Sequence, residues 1–419
     1  MPAPRSRAIR SVQDMGNTAL HPPFQTDPAL LIIALFSCGF SSAIANRTLD
    51  PLTVEIARDL NVPIASVALL SSALAFMYAA GQPVIGPLGD HFGKSRVLKL
   101  AMWICAASVL ASAFAPNFHV LLAIRPITGF AAGGIVPVGM ALLGDLYGPA
   151  NRQIVLARFI MAAIIGQVAG AMLAGTLEAW VGWRGVLFIC AAIVFFAAVI
   201  ATWLLPASPT NNGQPFSFAV ARRNYARIFA LPRAWVCFSS SFFIGGLTFG
   251  LLPYIAPLLE AGNNGGAREA GFIIAGFGAG AFLLALLLPV VLKFMRRPYV
   301  MLTGSATAGL CLAAYALGSH WSVQIILLTI FGFGFFMQHN SIQTEVSELI
   351  PEARTTAFAM HSSALFIGHT IGPAVYGLQI ATIGSVATLT MNGLIIAMIG
   401  CSIGFFFLLY HRSLRQGNE

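Results

Sequence analysis

Twelve apolar runs dominate this 419-residue chain, and each is long enough to cross a lipid bilayer. A helix needs about 20 apolar residues to span the roughly 30 Å hydrocarbon layer. Lipid offers no partner for backbone N–H and C=O groups, so every run should be helical. The runs are 29–49, 64–85, 97–115, 120–143, 153–177, 185–205, 234–259, 271–292, 299–317, 322–344, 355–380 and 386–410. Only 9% of the residues are charged, against about 25% in water-soluble domains. The sequence therefore predicts an all-α membrane protein with twelve transmembrane helices.

The second half of the chain repeats the first with an offset of 202 residues. Pro149–Gly175 aligns without a gap with Pro351–Gly377, and the glycines at 166, 170 and 175 meet those at 368, 372 and 377. Such a repeat predicts two pseudo-symmetric six-helix bundles that rock about a site between them. The expected segments are an N-terminal tail (1–28), a bundle (29–205), a linker (206–233), a second bundle (234–410) and a C-terminal tail (411–419).

The positive charges predict the orientation in the membrane. Of 23 Lys and Arg residues, all but five fall on one side of the predicted spans. The exceptions are Arg47, Arg58, Arg125, Arg184 and Arg268. Cytosolic loops carry the excess of positive charge, so both tails should be cytosolic. The net charge of +9 is spread over short loops, which favours a membrane surface over a nucleic-acid partner. A plasma membrane, the inner membrane of a bacterium, is the expected location.

The loop between the second and third runs contains a glycine-rich, charged motif from Gly86 to Arg96. Gly93 permits a backbone conformation that a side chain would disfavour, and Gly86 allows close approach of helices. Asp90 could pair with Lys94 or Arg96, or meet a helix N-terminus of the other half and so hold a gate closed. A plain solvated loop is the alternative.

This motif resembles the signature loop of the major facilitator superfamily, roughly G-x-L-a-D-r-x-G-r-[RK]. The matching residues are Gly86, Leu88, Asp90, Gly93 and Lys94; His91 and Ser95 depart from the pattern. The resemblance implies the major facilitator fold and a gating role for the loop. The second copy, 288–297, keeps a basic pair but lacks the Gly and Asp residues, so the gate contact should be asymmetric.

Arg125 lies inside the fourth run. A charge there costs about 2.5–3.5 kcal/mol on insertion scales, so it must find a partner or reach an interface. Snorkelling to the interface is one alternative. The sequence R-x-x-x-G, with Gly129 and also Gly133, resembles the superfamily's span-4 motif, which implies a role in proton transfer.

Arg47 and Asp50 close the first run with a spacing that places them on one helical face. Arg125 should lie at a similar depth, so we expect a cluster of Arg47, Asp50 and Arg125. Asp50 would be the proton-binding group, tuned by cationic neighbours and burial. A solvated helix end with a local ion pair is the alternative.

The fifth run carries small residues at Gly166, Gly170 and Gly175. They resemble the antiporter motif G-x-x-x-G-P-x-x-G-G of twelve-span drug/proton antiporters, with Ala171 in place of Pro. The repeat copy does contain Gly372 and Pro373. The resemblance implies export, and ordinary tight helix packing is the alternative.

Polar residues within other runs are candidates for lining a substrate cavity, or for hydrogen bonds between helices. Gln167 and His369 are repeat-equivalent, one in each half. The candidates are Asn46, Gln82, Gln167, His339, Asn340, Gln343, His361 and His369.

No motif for an enzyme or a cofactor is present. The sequence lacks a P-loop, the H-E-x-x-H motif and paired cysteines at metal-ligand spacing. We therefore expect no metal site, with the proton as the only coupling species. The expected function is a monomeric secondary transporter in membrane lipid that exports a small organic substrate. Proton symport, facilitated uptake and a non-transporting receptor are the alternatives.

Overall fold

The computed structural model describes residues 28–147, 149–206, 218–318, 320–350 and 354–416, and these residues contain helices and no strands. The first half comprises α1 (Pro28–Arg47), α2 (Thr53–Asp59), α3 (Ile64–Phe92), α4 (Lys94–Ala113), α5 (Phe118–Leu146) and α6 (Pro149–Leu204). The second half comprises α7 (Phe218–Phe229), α8 (Pro232–Phe249), α9 (Ile255–Ala261), α10 (Ala267–Phe294), α11 (Arg297–Tyr315), α12 (Trp321–Ser347), α13 (Arg354–Ile383) and α14 (Ser385–Gln416).

The predicted spans correspond to these helices with two differences: two spans are merged into one helix, and one span is not counted as long and apolar enough to cross a membrane. Helix α6 contains the fifth and sixth spans in one unit, with a kink at Gly182, where φ is 65°. Ten helices of the described chain are long and apolar enough to cross a membrane, with α6 counted once and the 19-residue α11 not among them. The predicted architecture of twelve membrane helices in two related bundles is confirmed.

Three helices were not predicted. Helix α7 lies in the predicted linker and presents Arg222, Arg223 and Arg227 on its exposed surface. Short helices α2 and α9 follow 3₁₀ turns at Asp50–Leu52 and Leu252–Tyr254. Proline at the second position of each turn fixes φ and lacks an N–H, which breaks the preceding helix.

The two halves repeat each other in backbone detail. The 3₁₀ turns, helices α2 and α9, and the positive-φ residues Asn61 and Asn263, both with φ of 49°, are each offset by 202 residues. Gly182 and Gly384, with φ of 65° and 80°, are a further such pair. The sequence repeat is therefore a structural repeat.

Glycine contacts hold equivalent helices together in both halves. A Cβ at Gly166 would lie 2.2 Å from the carbonyl oxygen of Phe40, and a Cβ at Gly368 would lie 1.9 Å from that of Phe242. These two contacts are related by the repeat, and they join α6 to α1 and α13 to α8. Only glycine allows so close an approach of two helix backbones. The predicted equivalence of 153–177 and 355–380 is thus confirmed.

The bundles meet along two helix pairs, with α3 packed on α13 and α6 packed on α10. These pairs are exchanged by the repeat, so the interface has an approximate two-fold axis. Residues of α1 and α8 lie beside this axis.

Replacing Gly368 by alanine tests the glycine contact. We expect Gly368→Ala to destabilise the folded protein by about 1–3 kcal/mol through overpacking, which exceeds the gain of up to about 1 kcal/mol from helix propensity. Thermal unfolding of purified protein in detergent measures the effect. The control is Gly262→Ala, where a Cβ would meet no atom closer than 3.4 Å. Equal thermal stability of Gly368→Ala and wild type would contradict the packing account.

Candidate substrate and coupling site between the two bundles

A buried ion pair lies where α1 ends. Nη1 of Arg47 is 3.3 Å from Oδ2 of Asp50, and the hydroxyl of Ser71 on α3 donates to Oδ1 of Asp50 at 2.7 Å. Arg47 is 4% exposed and Asp50 is 1% exposed. The pair is therefore buried inside the protein and is not at a solvated helix end. The role of Ser71 could not be predicted from the sequence, because one serine in an apolar run carries no distinguishing signal.

Arg125 on α5 is 2% exposed and belongs to the same region. Its Nε donates to the carbonyl oxygen of Leu70 at 3.4 Å, and Asp50 acts on it electrostatically. A Cβ at Gly129 would lie 2.0 Å from the carbonyl oxygen of Leu74. Gly129 thus lets α5 approach α3 closely, which places Arg125 against α3. The snorkelling alternative does not fit this burial.

Four residues in two repeat-related pairs meet beside the two-fold axis. The guanidinium of Arg47 lies 4.6 Å from the ring centroid of Phe249, which is its repeat partner. Nε of Arg47 donates to Oε1 of Gln167 at 3.3 Å. In the other half, the rings of Phe249 and His369 are 5.0 Å apart. The predicted pair Gln167 and His369 therefore flanks one contact between the bundles.

The second bundle contributes a pair of histidines. The rings of His339 on α12 and His361 on α13 stack with centroids 5.1 Å apart. Nδ1 of His361 is 2.8 Å from the hydroxyl oxygen of Ser241 on α8. These contacts bring three helices together at a polar cluster.

The remaining cavity candidates are dispersed. Gln82 donates to the carbonyl oxygen of Gly133 at 2.9 Å, and this bond links α3 to α5 within one bundle. Oδ1 of Asn46 is buried and has no partner among the described residues. Asn340 and Gln343 are half-buried on α12.

The predicted gating loop forms the tight turn between α3 and α4. Gly93 has φ of 92°, which favours glycine. Nζ of Lys94 is 2.6 Å from Oδ2 of Asp145 on α5. Arg96 is exposed and Leu88 is half-buried. The surroundings of Gly86 and of the Asp90 side chain lie outside the described part of the chain, so the predicted role of Asp90 stays a prediction.

Helix backbones approach each other closely at the span-5 motif and at its repeat copy. A Cβ at Gly170 would be 2.9 Å from Cα of Ile44, and one at Gly372 would be 2.3 Å from the carbonyl oxygen of Gly246. A Cβ at Gly175 would be 2.3 Å from the carbonyl oxygen of Ala267, which belongs to the other bundle. Pro373 accepts a hydrogen bond from the Tyr254 hydroxyl at 2.9 Å through its carbonyl oxygen. The motif therefore packs helices both within and between bundles.

An ion pair joins the bundles at one end of the molecule, which we call the Arg58 end. Nη2 of Arg58 on α2 is 2.5 Å from Oε2 of Glu260 on α9, and the two residues are repeat partners. Nearer the centre, Ser363 donates to the Ala79 carbonyl oxygen at 3.0 Å, and the rings of Tyr78 and Phe366 stack with centroids 3.9 Å apart. These contacts join the two bundles from the Arg58 end to the middle of the helices in this structure.

Some of these contacts could have been found from sequence. Phe249 and Glu260 follow from Arg47 and Arg58 by adding the repeat offset. Tyr78 and Phe366 could not be found in this way, since aromatic residues are frequent in apolar helices.

Comparison with known proteins agrees with this architecture. The family model described as Major Facilitator Superfamily matches residues 35–373 and 239–417. Among solved structures, a bacterial homologue of the human lysosomal transporter Spinster superposes with a TM-score of 0.74 at 17% identity, covering 92% of this chain and 97% of that one. The nucleoside transporter NupG has the same TM-score at 16% identity, with coverages of 90% and 99%.

Curated relatives match most of the chain and are covered over most of their own length. The uncharacterized MFS-type transporter YybF of Bacillus subtilis is 24% identical, covering 83% of this chain and 86% of the relative. A bicyclomycin resistance protein homolog of Haemophilus influenzae is 22% identical, with coverages of 87% and 92%. The chloramphenicol resistance protein of Streptomyces lividans is 24% identical, with coverages of 88% and 93%. The chain therefore belongs to the major facilitator superfamily of membrane transporters.

Proposed function

We propose that this transporter exports a small organic molecule in exchange for protons, by alternating access between its bundles (29–205 and 234–410). The observation that carries the proposal is the burial of Asp50 between Arg47 and Ser71, close to Arg125. A carboxylate in such a place can bind and release a proton, and its charge state alters every contact around it.

Protonation of Asp50 would affect the contact between the two bundles through Arg47. Two unit charges 3.3 Å apart attract by about 5 kcal/mol at an effective dielectric constant of about 20. Shifting a two-state equilibrium from 1:99 to 99:1 takes about 5.5 kcal/mol. Because Arg47 also contacts Phe249 of the other bundle, the part of this attraction that differs between two arrangements of the bundles would shift their populations.

We further propose that the Arg58 end faces away from the cytosol and that both tails lie inside the cell, in a bacterial inner membrane. The exposed arginines of α7 support this orientation, since cytosolic segments are rich in positive charge. The described structure is then the state closed on the outside.

Export is supported by the drug-resistance relatives. Proton symport for uptake is a second candidate, because Ala171 stands where the antiporter motif has proline, and it packs on Gly271 of the other bundle.

Transport into proteoliposomes distinguishes antiport from symport. Antiport predicts that an inside-acid gradient drives chloramphenicol or bicyclomycin inward as protons leave. Accumulation under an outside-acid gradient would instead favour symport.

The variant Asp50→Asn tests the coupling role. We expect it to abolish accumulation driven by a pH gradient, because the titratable oxygen is lost, while exchange of labelled for unlabelled substrate continues. Reconstituted vesicles allow both measurements. The control is Asp59→Asn, which removes an acidic residue that pairs with Arg184 inside one bundle. Gradient-driven accumulation by Asp50→Asn at the wild-type rate would remove Asp50 from the coupling mechanism.

A charge exchange at the Arg58 end tests the gate. We expect Arg58→Glu to open this end, because it places two acidic groups together across the bundle interface. The double variant Arg58→Glu/Glu260→Arg should restore closure. An exposed ion pair is worth about 0.2–1 kcal/mol, so the closed population should change by up to about fivefold. Labelling of a cysteine at the buried position Ala256 by an impermeant maleimide, in a background with the six native cysteines replaced, reports opening.

The matched control is Arg184→Glu, which breaks an ion pair within one bundle and should leave labelling unchanged. Failure of the double variant to reverse the effect of Arg58→Glu would show that the pair does not hold this end closed.

A further inference from the structure

The second bundle carries neutral polar side chains where the first bundle has apolar ones. His361 is the repeat partner of Phe159, and Ser241 is the repeat partner of Gly39. The first bundle instead holds the charges, since Arg47 and Asp50 have Phe249 and Leu252 as partners. The asymmetry separates a charged, proton-binding side from a neutral, hydrogen-bonding side.

The hydrogen bonds of Ser241 indicate which ring nitrogen of His361 is a hydrogen-bond acceptor. The Ser241 hydroxyl donates to the carbonyl oxygen of Cys237 at 2.8 Å, and a hydroxyl has one hydrogen to give. Both contacts are hydrogen bonds at once only when Nδ1 of His361 carries a hydrogen and donates it to the Ser241 oxygen. In this tautomer, Nε2 of His361 is a hydrogen-bond acceptor. The residue is 0% exposed, and Nε2 has no partner among the described residues.

His369 is a second buried imidazole in the same helix. It is 1% exposed, and neither ring nitrogen has a partner in the described part of the chain. Its ring lies between those of Phe249 and Phe366, at 5.0 and 5.9 Å. The guanidinium of Arg47 acts on it electrostatically, so a cationic ligand is disfavoured beside it.

The two imidazoles belong to one aromatic-lined region. His339 stacks on His361 and also on Phe335, whose ring lies 5.6 Å from that of Phe249. His361 and His369 are eight residues apart on α13, which corresponds to about 12 Å along a helix. This separation matches the length of a small molecule with a fused or two-ring aromatic core.

We propose that His361 and His369 recognise an uncharged aromatic substrate that carries hydroxyl or amide N–H donors. Each unpartnered buried nitrogen is costly to leave unsatisfied, and a substrate hydrogen bond at each would remove that cost. The aromatic rings would contact the flat part of the substrate. This inference rests on the proposed transport function and names the substrate class for it.

A series of naphthyl compounds tests the inference on the purified, full-length protein. The probes are naphthalene-2,6-diol, whose two hydroxyl donors lie at opposite ends of the ring system, its diacetate, which lacks donors, and 1-(naphthalen-2-yl)ethylammonium, which is cationic. Naphthyl fluorescence reports binding. We expect wild type to bind the diol more tightly than the other two. His361→Phe and His369→Leu should each weaken diol binding by about 2- to 12-fold, the range for one neutral hydrogen bond, and should not weaken diacetate binding.

Two variants separate recognition from structure. His369→Gln keeps a donor and an acceptor, as its repeat partner Gln167 does, and should retain most diol affinity. His119→Phe replaces an exposed histidine and should bind like wild type. Equal weakening of diol and diacetate binding would assign the histidines a structural role and overturn the proposal, as would tighter binding of the cation than the diol by wild type. Absence of gradient-driven transport of any compound would instead contradict the proposed function.

Discussion

A buried carboxylate that lipid cannot solvate organises the first bundle. Among the residues that the structure describes, Arg47 on α1 and Ser71 on α3 are the hydrogen-bond partners of the Asp50 carboxylate. Arg125 on α5 adds a second positive charge nearby. Breaking one member of such a group leaves an uncompensated charge, which costs about 3–5 kcal/mol. Three helices are therefore held together at one place, and that place lies beside the axis between the bundles.

Glycine packing is repeated within both bundles, whereas the contacts between the bundles are of several kinds. Within each bundle, glycines bring helix backbones together at repeat-related positions such as Gly166 and Gly368, and such packing does not slide without a clash. Between bundles, close packing at Gly175 and Ala267 is accompanied by stacked rings and an exposed ion pair. Such an exposed ion pair can separate and re-form at low cost. This division suits two rigid bodies that rock about the contact of Arg47 with Phe249.

The sequence predicted the repeat, the membrane helices and the burial of Arg47, Asp50 and Arg125 in one region. These features could be predicted because apolar composition, a fixed repeat offset and charged residues inside apolar runs are visible in a sequence. It did not predict α2 and α9, since a proline turn after an apolar run does not reveal whether a helix resumes. It also did not identify Ser71 or the unpartnered state of His361. Such features depend on which side chains meet across helices, and spacing along one helix does not determine that.

In the proposed mechanism, the bundles rock in opposite senses at their two ends when Asp50 changes its protonation state. Distances between spin labels, measured by pulsed electron paramagnetic resonance, test this most directly. One pair of labels is placed at Asn61 and Asn263, and the other at His91 and Lys293. All four positions are exposed, and each pair is related by the repeat. Lowering the pH should lengthen one distance and shorten the other, and Asp50→Asn should remove this response. Distances that do not change with pH, or that change together, would contradict the account.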